Sequence, residues 1–141
     1  VWRREISTGK ETQITQHGGF AAFESYDAKT LYYSRLDHGG IWKMTVGGGP
    51  EVLVTDSLHL GYWGHFAVTE NGLYLTDTEA KGGPAILYYN FQTRRLSPIL
   101  ILDKSPVSNT PNLSASRDGR TLLYAQAEFE NSTISMAENF Q

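Results

Sequence analysis

The residues of this 141-residue chain that could do chemistry are four histidines, His17, His38, His59 and His65, set among scattered Ser, Asp and Glu. No histidine has a second one four residues away, the spacing that aims two ligands from one helical face, and no cysteine is present to supply a thiolate. The four therefore read as structural or surface side chains. No Gly-x-Ser-x-Gly element occurs, and scattered Ser, His and Asp residues do not define a nucleophile set. Ser116-Arg117-Asp118-Gly119-Arg120-Thr121 has the outline of an Asp-box, but that motif wants a further Gly before Thr and an aromatic after it, and Leu122 follows Thr121 here. A calcium loop needs alternating Asp, Asn and Gly; Asp77 and Glu79 read instead as a strand end facing water. No catalytic residue, metal site or cofactor is expected.

Gly47-Gly48-Gly49 could cradle a phosphate, but no Lys-Ser/Thr follows and no helix opens behind it. It reads as a turn. The most distinctive patch is Gly61-Tyr62-Trp63-Gly64-His65-Phe66, where aromatics and an imidazole precede an apolar strand. Tyr62, Trp63 and His65 are the candidate binding residues, with packing between sheets as the competing role.

The formal net charge of −3 provides no basic field to gather a phosphate backbone, so direct contact with nucleic acid is not expected. Arg3, Arg4, Lys10, Arg94, Arg95, Arg117 and Arg120 fall in separate short groups that suit strand edges and turns. The apolar stretches, Ile99 to Leu102 among them, are far shorter than the roughly 20 residues a membrane-spanning helix needs. A chain opening on Val1-Trp2 directly in strand pattern, without a charged-then-apolar leader, suggests a true N-terminus further upstream.

Helical periodicity is absent. Apolar residues alternate or come in runs of three to five bounded by Gly, Asp, Asn, Ser or Pro, and 14 glycines sit beside many aromatics. The class is all-β, with strands predicted near 2–6, 11–15, 20–25, 30–35, 41–46, 51–55, 64–68, 73–77, 86–91, 96–102, 113–116, 121–126 and 133–138.

An internal repeat organises these strands. Val1-Trp2-Arg3 through Gly9-Lys10-Glu11 lies over Ile41-Trp42-Lys43 through Gly49-Pro50-Glu51 at a constant offset of 40, continuing through Ile14-Thr15 over Val54-Thr55. A looser copy begins at Leu87-Tyr88-Tyr89, with Phe91 standing where Val46 and Ile6 stand. Polar turns precede each hairpin: Tyr26-Asp27-Ala28-Lys29-Thr30, Glu70-Asn71-Gly72 and Arg117-Asp118-Gly119-Arg120-Thr121. Units of about 40 to 49 residues with four strands each are what β-propeller blades show, an up-and-down sandwich being the alternative. The reading is a partial propeller of about three four-stranded antiparallel blades. Residues 1–15 end one blade, 16–55 and 56–104 form two more, and 105–141 form a last one lacking a strand. Trp2 and Trp42 should then point to the same side of successive sheets.

The segment Leu113-Ser114-Ala115-Ser116-Arg117-Asp118-Gly119-Arg120-Thr121-Leu122-Leu123-Tyr124-Ala125-Gln126 resembles the Ser-Pro-Asp-Gly-Arg-x-Leu-Leu-Tyr strand pair of TolB-like and WD-like propellers, with Arg117 where that family usually has Pro. Ile134-Ser135-Met136-Ala137-Glu138-Asn139-Phe140, with Ile41-Trp42-Lys43-Met44 and the triple glycine, resembles the propeller half of bacterial regulators that carry a winged-helix DNA-binding domain. The resemblance implies a non-catalytic binding or sensing module. A protein partner or small ligand would bind at the propeller mouth, DNA contact would belong to another domain, and a periplasmic or extracytoplasmic setting is favoured over a cytoplasmic one. The alternative is the gating propeller of a prolyl-oligopeptidase-type serine peptidase.

Overall fold

The computed structural model describes residues 1–107 and 111–126. It is all-β there, with no helix, and its strands form four antiparallel sheets. The first sheet pairs β1 (Trp2–Arg4) with β2 (Glu11–Gln13). The second runs β3 (Phe20–Glu24), β4 (Thr30–Ser34), β5 (Ile41–Thr45) and β6 (Val52–Thr55) in chain order. The third does the same with β7 (Phe66–Val68), β8 (Gly72–Asp77), β9 (Ala85–Asn90) and β10 (Leu96–Ile101). The fourth pairs β11 (Leu113–Ala115) with β12 (Leu122–Tyr124). Each strand begins and ends within a few residues of a predicted run. The strand expected near 133–138 lies outside the described residues.

The sheets stack in chain order, and alternation along each strand divides its side chains between two neighbours. Leu31, Tyr33 and Met44, with Trp42 partly buried, pack with Ile14 and Val1 of the first sheet's side. Tyr32 and Ile41 pack the opposite way, with Phe66, Val68, Leu73, Leu75 and Leu87 of the third sheet. Ala67 and Ile86 then meet Leu113 and Leu102 in a third seam. Tyr33, Ile41, Phe66, Leu73, Leu75 and Ile86 are completely or almost completely buried, whereas the outer strand β10 is exposed along most of its length. Pro98 in β10, beside a register shift, suits an edge strand, since it withholds a ladder donor from any chain that approaches.

The sequence repeat is a repeat of register. Trp2 stands opposite Gln13 and Arg3 opposite Thr12 in the first sheet; 40 residues on, Trp42 stands opposite Leu53 and Lys43 opposite Val52. The two tryptophans therefore take equivalent positions. Trp42 is half-covered in the seam towards the first sheet, and Trp2, on the corresponding side of a sheet with nothing beyond it among the described residues, is 67% exposed.

A second repeat, offset by 91, lies in the turns. Ser25 Oγ donates to Asp27 Oδ1 at 2.6 Å, Asp27 Oδ1 accepts from Lys29 N–H at 3.1 Å, and Thr30 N–H donates to Ser25 Oγ at 2.9 Å. The same three bonds join Ser116, Asp118, Arg120 and Thr121 at 2.7, 3.1 and 3.0 Å. The bonds to the charged carboxylates, from the Ser hydroxyl first and the backbone N–H second, hold Asp27 and Asp118 below their ordinary titration range. Both turns put their fourth residue in the left-handed region, φ 55° at Ala28 and 72° at Gly119. In the third sheet the turn is shorter and Gly72 does a different task. A Cβ there would lie 2.3 Å from Tyr89 O and 2.5 Å from the Tyr88 ring, so only glycine lets β9 approach β8 at that point.

Two stability predictions follow from this packing. Phe66→Ala, at the centre of the second seam, should cost about 3–5 kcal/mol and Trp2→Ala less than about 1 kcal/mol. Urea unfolding followed by tyrosine and tryptophan emission checks the difference. Ala28→Gly should raise stability by about 0.5–1 kcal/mol by relieving the left-handed alanine, and Gly119→Ala should lower it by a similar amount, measured the same way.

Candidate functional site

The strongest concentration of charge and aromatic surface lies in the first seam. Arg35, just past the end of β4, folds its guanidinium over Trp42, 4.6 Å from the ring centroid. Asp37 clamps it with two contacts, Nε to Oδ1 at 2.9 Å and Nη2 to Oδ2 at 2.6 Å, and Nη1 reaches Glu51 Oε2 at 3.3 Å. The Arg35 side chain is only 13% exposed and that of Glu51 only 10%, so their attraction is screened less than a surface pair's.

Glu51 links the two sheets. Its Oε1 accepts from Gln16 N–H at 3.2 Å, and its Oε2 lies 3.2 Å from His17 Nδ1. Burial opposes the Glu51 charge, but the Gln16 amide and the His17 contacts outweigh it and hold the carboxyl below its ordinary value. Asp37 is lowered chiefly by the Arg35 hydrogen bonds, and Arg35 is raised in turn by Asp37. Tyr33, wholly buried beside this group, is raised first by burial and then by the Glu51 charge. Around these groups opens a cleft of about 440 Å³, lined among others by His17, Arg35, Trp42, Met44, Pro50 and Glu51.

Tyr62, Trp63 and His65 sit in the loop that leads into β7, shaped by left-handed Gly61 and Gly64. They divide. Trp63, partly buried, reaches the Arg35 side: its Nε1 donates to Arg35 O at 3.0 Å and its ring lies 5.8 Å from that of Phe20. Tyr62 is partly buried against the second seam and meets His65 and His59 edge-on. His65 is 1% exposed, with Nδ1 3.1 Å from Thr76 Oγ1 and 3.2 Å from Asn112 Nδ2, so it is packed between the third and fourth sheets. The structure thus joins Trp63 to the Arg35–Trp42 group and places His65 in the interior.

The other histidines are dispersed. His59 Nε2 is 3.5 Å from Asp77 Oδ1, and His38 meets the Trp42 ring edge-on. Among the described residues no group of three or more His, Cys, Asp or Glu side chains is arranged to hold a metal. The triple glycine forms a turn, with Gly48 and Gly49 at φ 96° and 148° and Thr45 Oγ1 donating to Gly48 O. Arg117, read from sequence as a solvated turn residue, reaches across the third seam: its Nη2 lies 3.4 Å from Glu70 Oε1, and its guanidinium covers Tyr26 at 5.3 Å. These groups rim a second cleft of about 360 Å³ with Asp27, Thr30, Tyr32 and Phe91. Burial pushes the Tyr32 hydroxyl up to about 12, and its ring stacks on Phe91 at 5.2 Å.

Sequence reasoning missed Arg35 and Glu51. The available signal was weak: a cation placed directly after a buried strand, and an acidic residue that ends a glycine turn. Sixteen residues separate the two, and only the bending of the chain through β5 brings them together. No family model matches the chain, and no curated protein matches it.

The lowered Glu51 carboxyl ties the first seam to pH. A carboxylate depressed in the folded state contributes stability in full above its ordinary value of 4.5 and loses it as the pH falls through the lowered native value. Urea midpoints measured from pH 7 down to 3 should therefore fall in acid. Glu51→Gln should remove the Glu51 share of that fall while keeping the share due to Asp27, Asp37 and Asp118. Arg35→Ala at pH 7 should cost about 2 kcal/mol, from the lost indole contact and the stranded Glu51 charge.

Proposed function

We propose that this chain is a non-catalytic binding or sensing module: an arc of a TolB-like or WD-like β-propeller that engages a protein partner or small ligand through the Arg35–Trp42–Glu51 cleft. The propeller part of the reading is supported by the stacked sheets, whose first strands lie nearest one another: β3 runs beside β7, and β7 beside β11. Repeated register at offsets of 40 and 91 supports it further, because one strand-and-turn unit then recurs around the arc. In a longer protein this arc would serve as the sensing half of a bacterial regulator or as a TolB-like scaffold.

The observation that carries the binding part is the chemistry of the cleft. An indole and the Glu51 carboxylate border about 440 Å³ of open space together with His17, whose side chain is 63% exposed, and Asp37, clamped to the lining residue Arg35, is 58% exposed beside it. Arg35 is already neutralised by two carboxylates, so the remaining capacity is for a cationic group: aromatic surface for its stem and carboxylate oxygens for its head. A lysine- or arginine-bearing peptide segment has that form.

Titrating short basic peptides and their neutral counterparts against the ¹⁵N-labelled chain tests the assignment. Saturable shifts are expected at the amides of Arg35, Asp37, Trp42 and Glu51 and at the Trp42 and Trp63 indoles, weakened at least tenfold by Asp37→Asn. Saturable binding mapped to another surface, or binding indifferent to Asp37→Asn and to peptide charge, would place the function elsewhere.

A further inference from the structure

The place of the Arg35 cleft is repeated one seam further on, between the two four-stranded sheets. Gln13 and Ile14 line the first cleft on the β2 side, and Leu53 and Val54 line the second on the β6 side, an offset of 40. Met44 of β5 lines the first and Tyr89 of β9 the second, an offset of 45. The second groove holds about 380 Å³ and reverses the charge of the first. Lys43 and Arg94 line it, and no carboxylate does. Asp27 and Glu70 belong instead to the neighbouring cleft with Arg117, which shares Tyr32 and Phe91 as a wall.

We propose that this second groove docks an acidic peptide segment, one that offers a carboxylate to Lys43 and Arg94 and lays a neighbouring apolar side chain against Leu53 and Phe91.

Charge complementarity selects the occupant. Among the described residues neither the Lys43 ammonium nor the Arg94 guanidinium has a hydrogen-bond or ion-pair partner, whereas Arg35 is held by two carboxylates and Arg117 by one. A cationic ligand finds no acceptor carboxylate on this lining, and an anionic one finds two donors. The apolar walls are ready-made. Val52 and Leu53 are 47% and 40% exposed on one side, while on the other Phe91 is fixed by stacking on Tyr32 at 5.2 Å and by meeting Tyr89 edge-on at 6.4 Å. Because β6 ends its sheet, the groove is open to an extended segment running along it. A polyanion such as nucleic acid is disfavoured by the net charge of −3.

The turn that carries Arg94 adds an independent observation. It repeats the turn of the first sheet: Asn90 N–H donates to Arg95 O at 3.0 Å and Arg94 N–H to Asn90 O at 2.8 Å, as Glu5 N–H does to Lys10 O at 2.9 Å and Gly9 N–H to Glu5 O at 2.7 Å. Arg94 at φ 55° thus stands where Gly9 stands at φ 72°. The left-handed backbone is unstrained for glycine and strained for arginine, so the guanidinium is kept at the groove against a conformational cost. Asn90 Oδ1, accepting from Gln92 N–H and Thr93 N–H at 2.9 Å each, makes the turn a rigid mount for it. Occupancy of this groove does not rest on the reading of the Arg35 cleft.

The ¹⁵N-labelled full chain is titrated with three acetylated and amidated pentapeptides: Leu-Glu-Phe-Glu-Leu, its glutamine counterpart and its lysine counterpart. Saturable shifts at the amides of Leu53, Tyr89, Phe91 and Arg94 are expected from the glutamate peptide alone, while the amides of His17 and Asp37 stay in place. Arg94→Gly should weaken that binding at least tenfold with a urea midpoint no lower than before, because glycine suits the left-handed position. Lys43→Gln should weaken it as well, and Asp37→Asn should leave it unchanged, which separates this groove from the Arg35 cleft. Equal binding of the glutamate and glutamine peptides, or binding indifferent to Arg94→Gly, would overturn the proposal. So would glutamate-peptide shifts confined to the Arg117 cleft, or the lack of any saturable shift. Inorganic phosphate moving the same amides as strongly as the glutamate peptide would reduce the groove to a simple anion site and overturn the peptide assignment.

Discussion

Burial of both faces of the second and third sheets is the constraint on which the molecule depends. A lone antiparallel sheet can leave one face to water, and its strands then alternate between apolar and polar residues. Here β4, β7 and most of β8 are buried on both sides, so each needs a neighbour in front and behind. The row of three seams meets that need, with Tyr33 turned into the first, Phe66 and Leu73 into the second and Ile86 into the third. The edge strands β3, β6 and β10, free of that demand, are largely exposed although mostly apolar.

The seams also create the chemistry. Arg35, Asp37 and Glu51 would be an ordinary set of surface charges on an isolated hairpin, worth little in water. Pressed between two sheets and under an indole, the Arg35–Glu51 pair is largely withdrawn from solvent, and the backbone N–H of Gln16 completes the coordination of the carboxylate. The same packing takes His65 out of contact with solvent. Its imidazole is spent on Thr76 and Asn112, joining the third sheet to the fourth, while its neighbour Trp63 bonds to the Arg35 carbonyl. Neighbours in the sequence thus serve different seams.

Turn chemistry explains why the repeat is audible in so short a chain. Ser-x-Asp at 25–27 and 116–118 makes the same set of local bonds in both places, although one turn puts alanine and the other glycine in the left-handed position. Arg117, in the second position of its turn, spans to Glu70 and Tyr26 in neighbouring sheets.

The sequence by itself determined the all-β class, the places of the strands and of the turns between them, and the 40-residue echo around Trp2 and Trp42. These follow from alternation and from Gly, Asn, Asp and Ser chemistry acting over two to six residues, and such signals survive without knowledge of what packs where. Tertiary structure alone decided that Trp2 is 67% exposed and Trp42 half-covered, since identical residues in identical register differ only in whether, among the described residues, a sheet stands beyond them. It also decided that Arg35 and Glu51 meet and that His65 turns inward. Contacts across a seam depend on how far one sheet is rotated and shifted against the next, which is set by the summed shapes of many side chains, and no local run of residues encodes it.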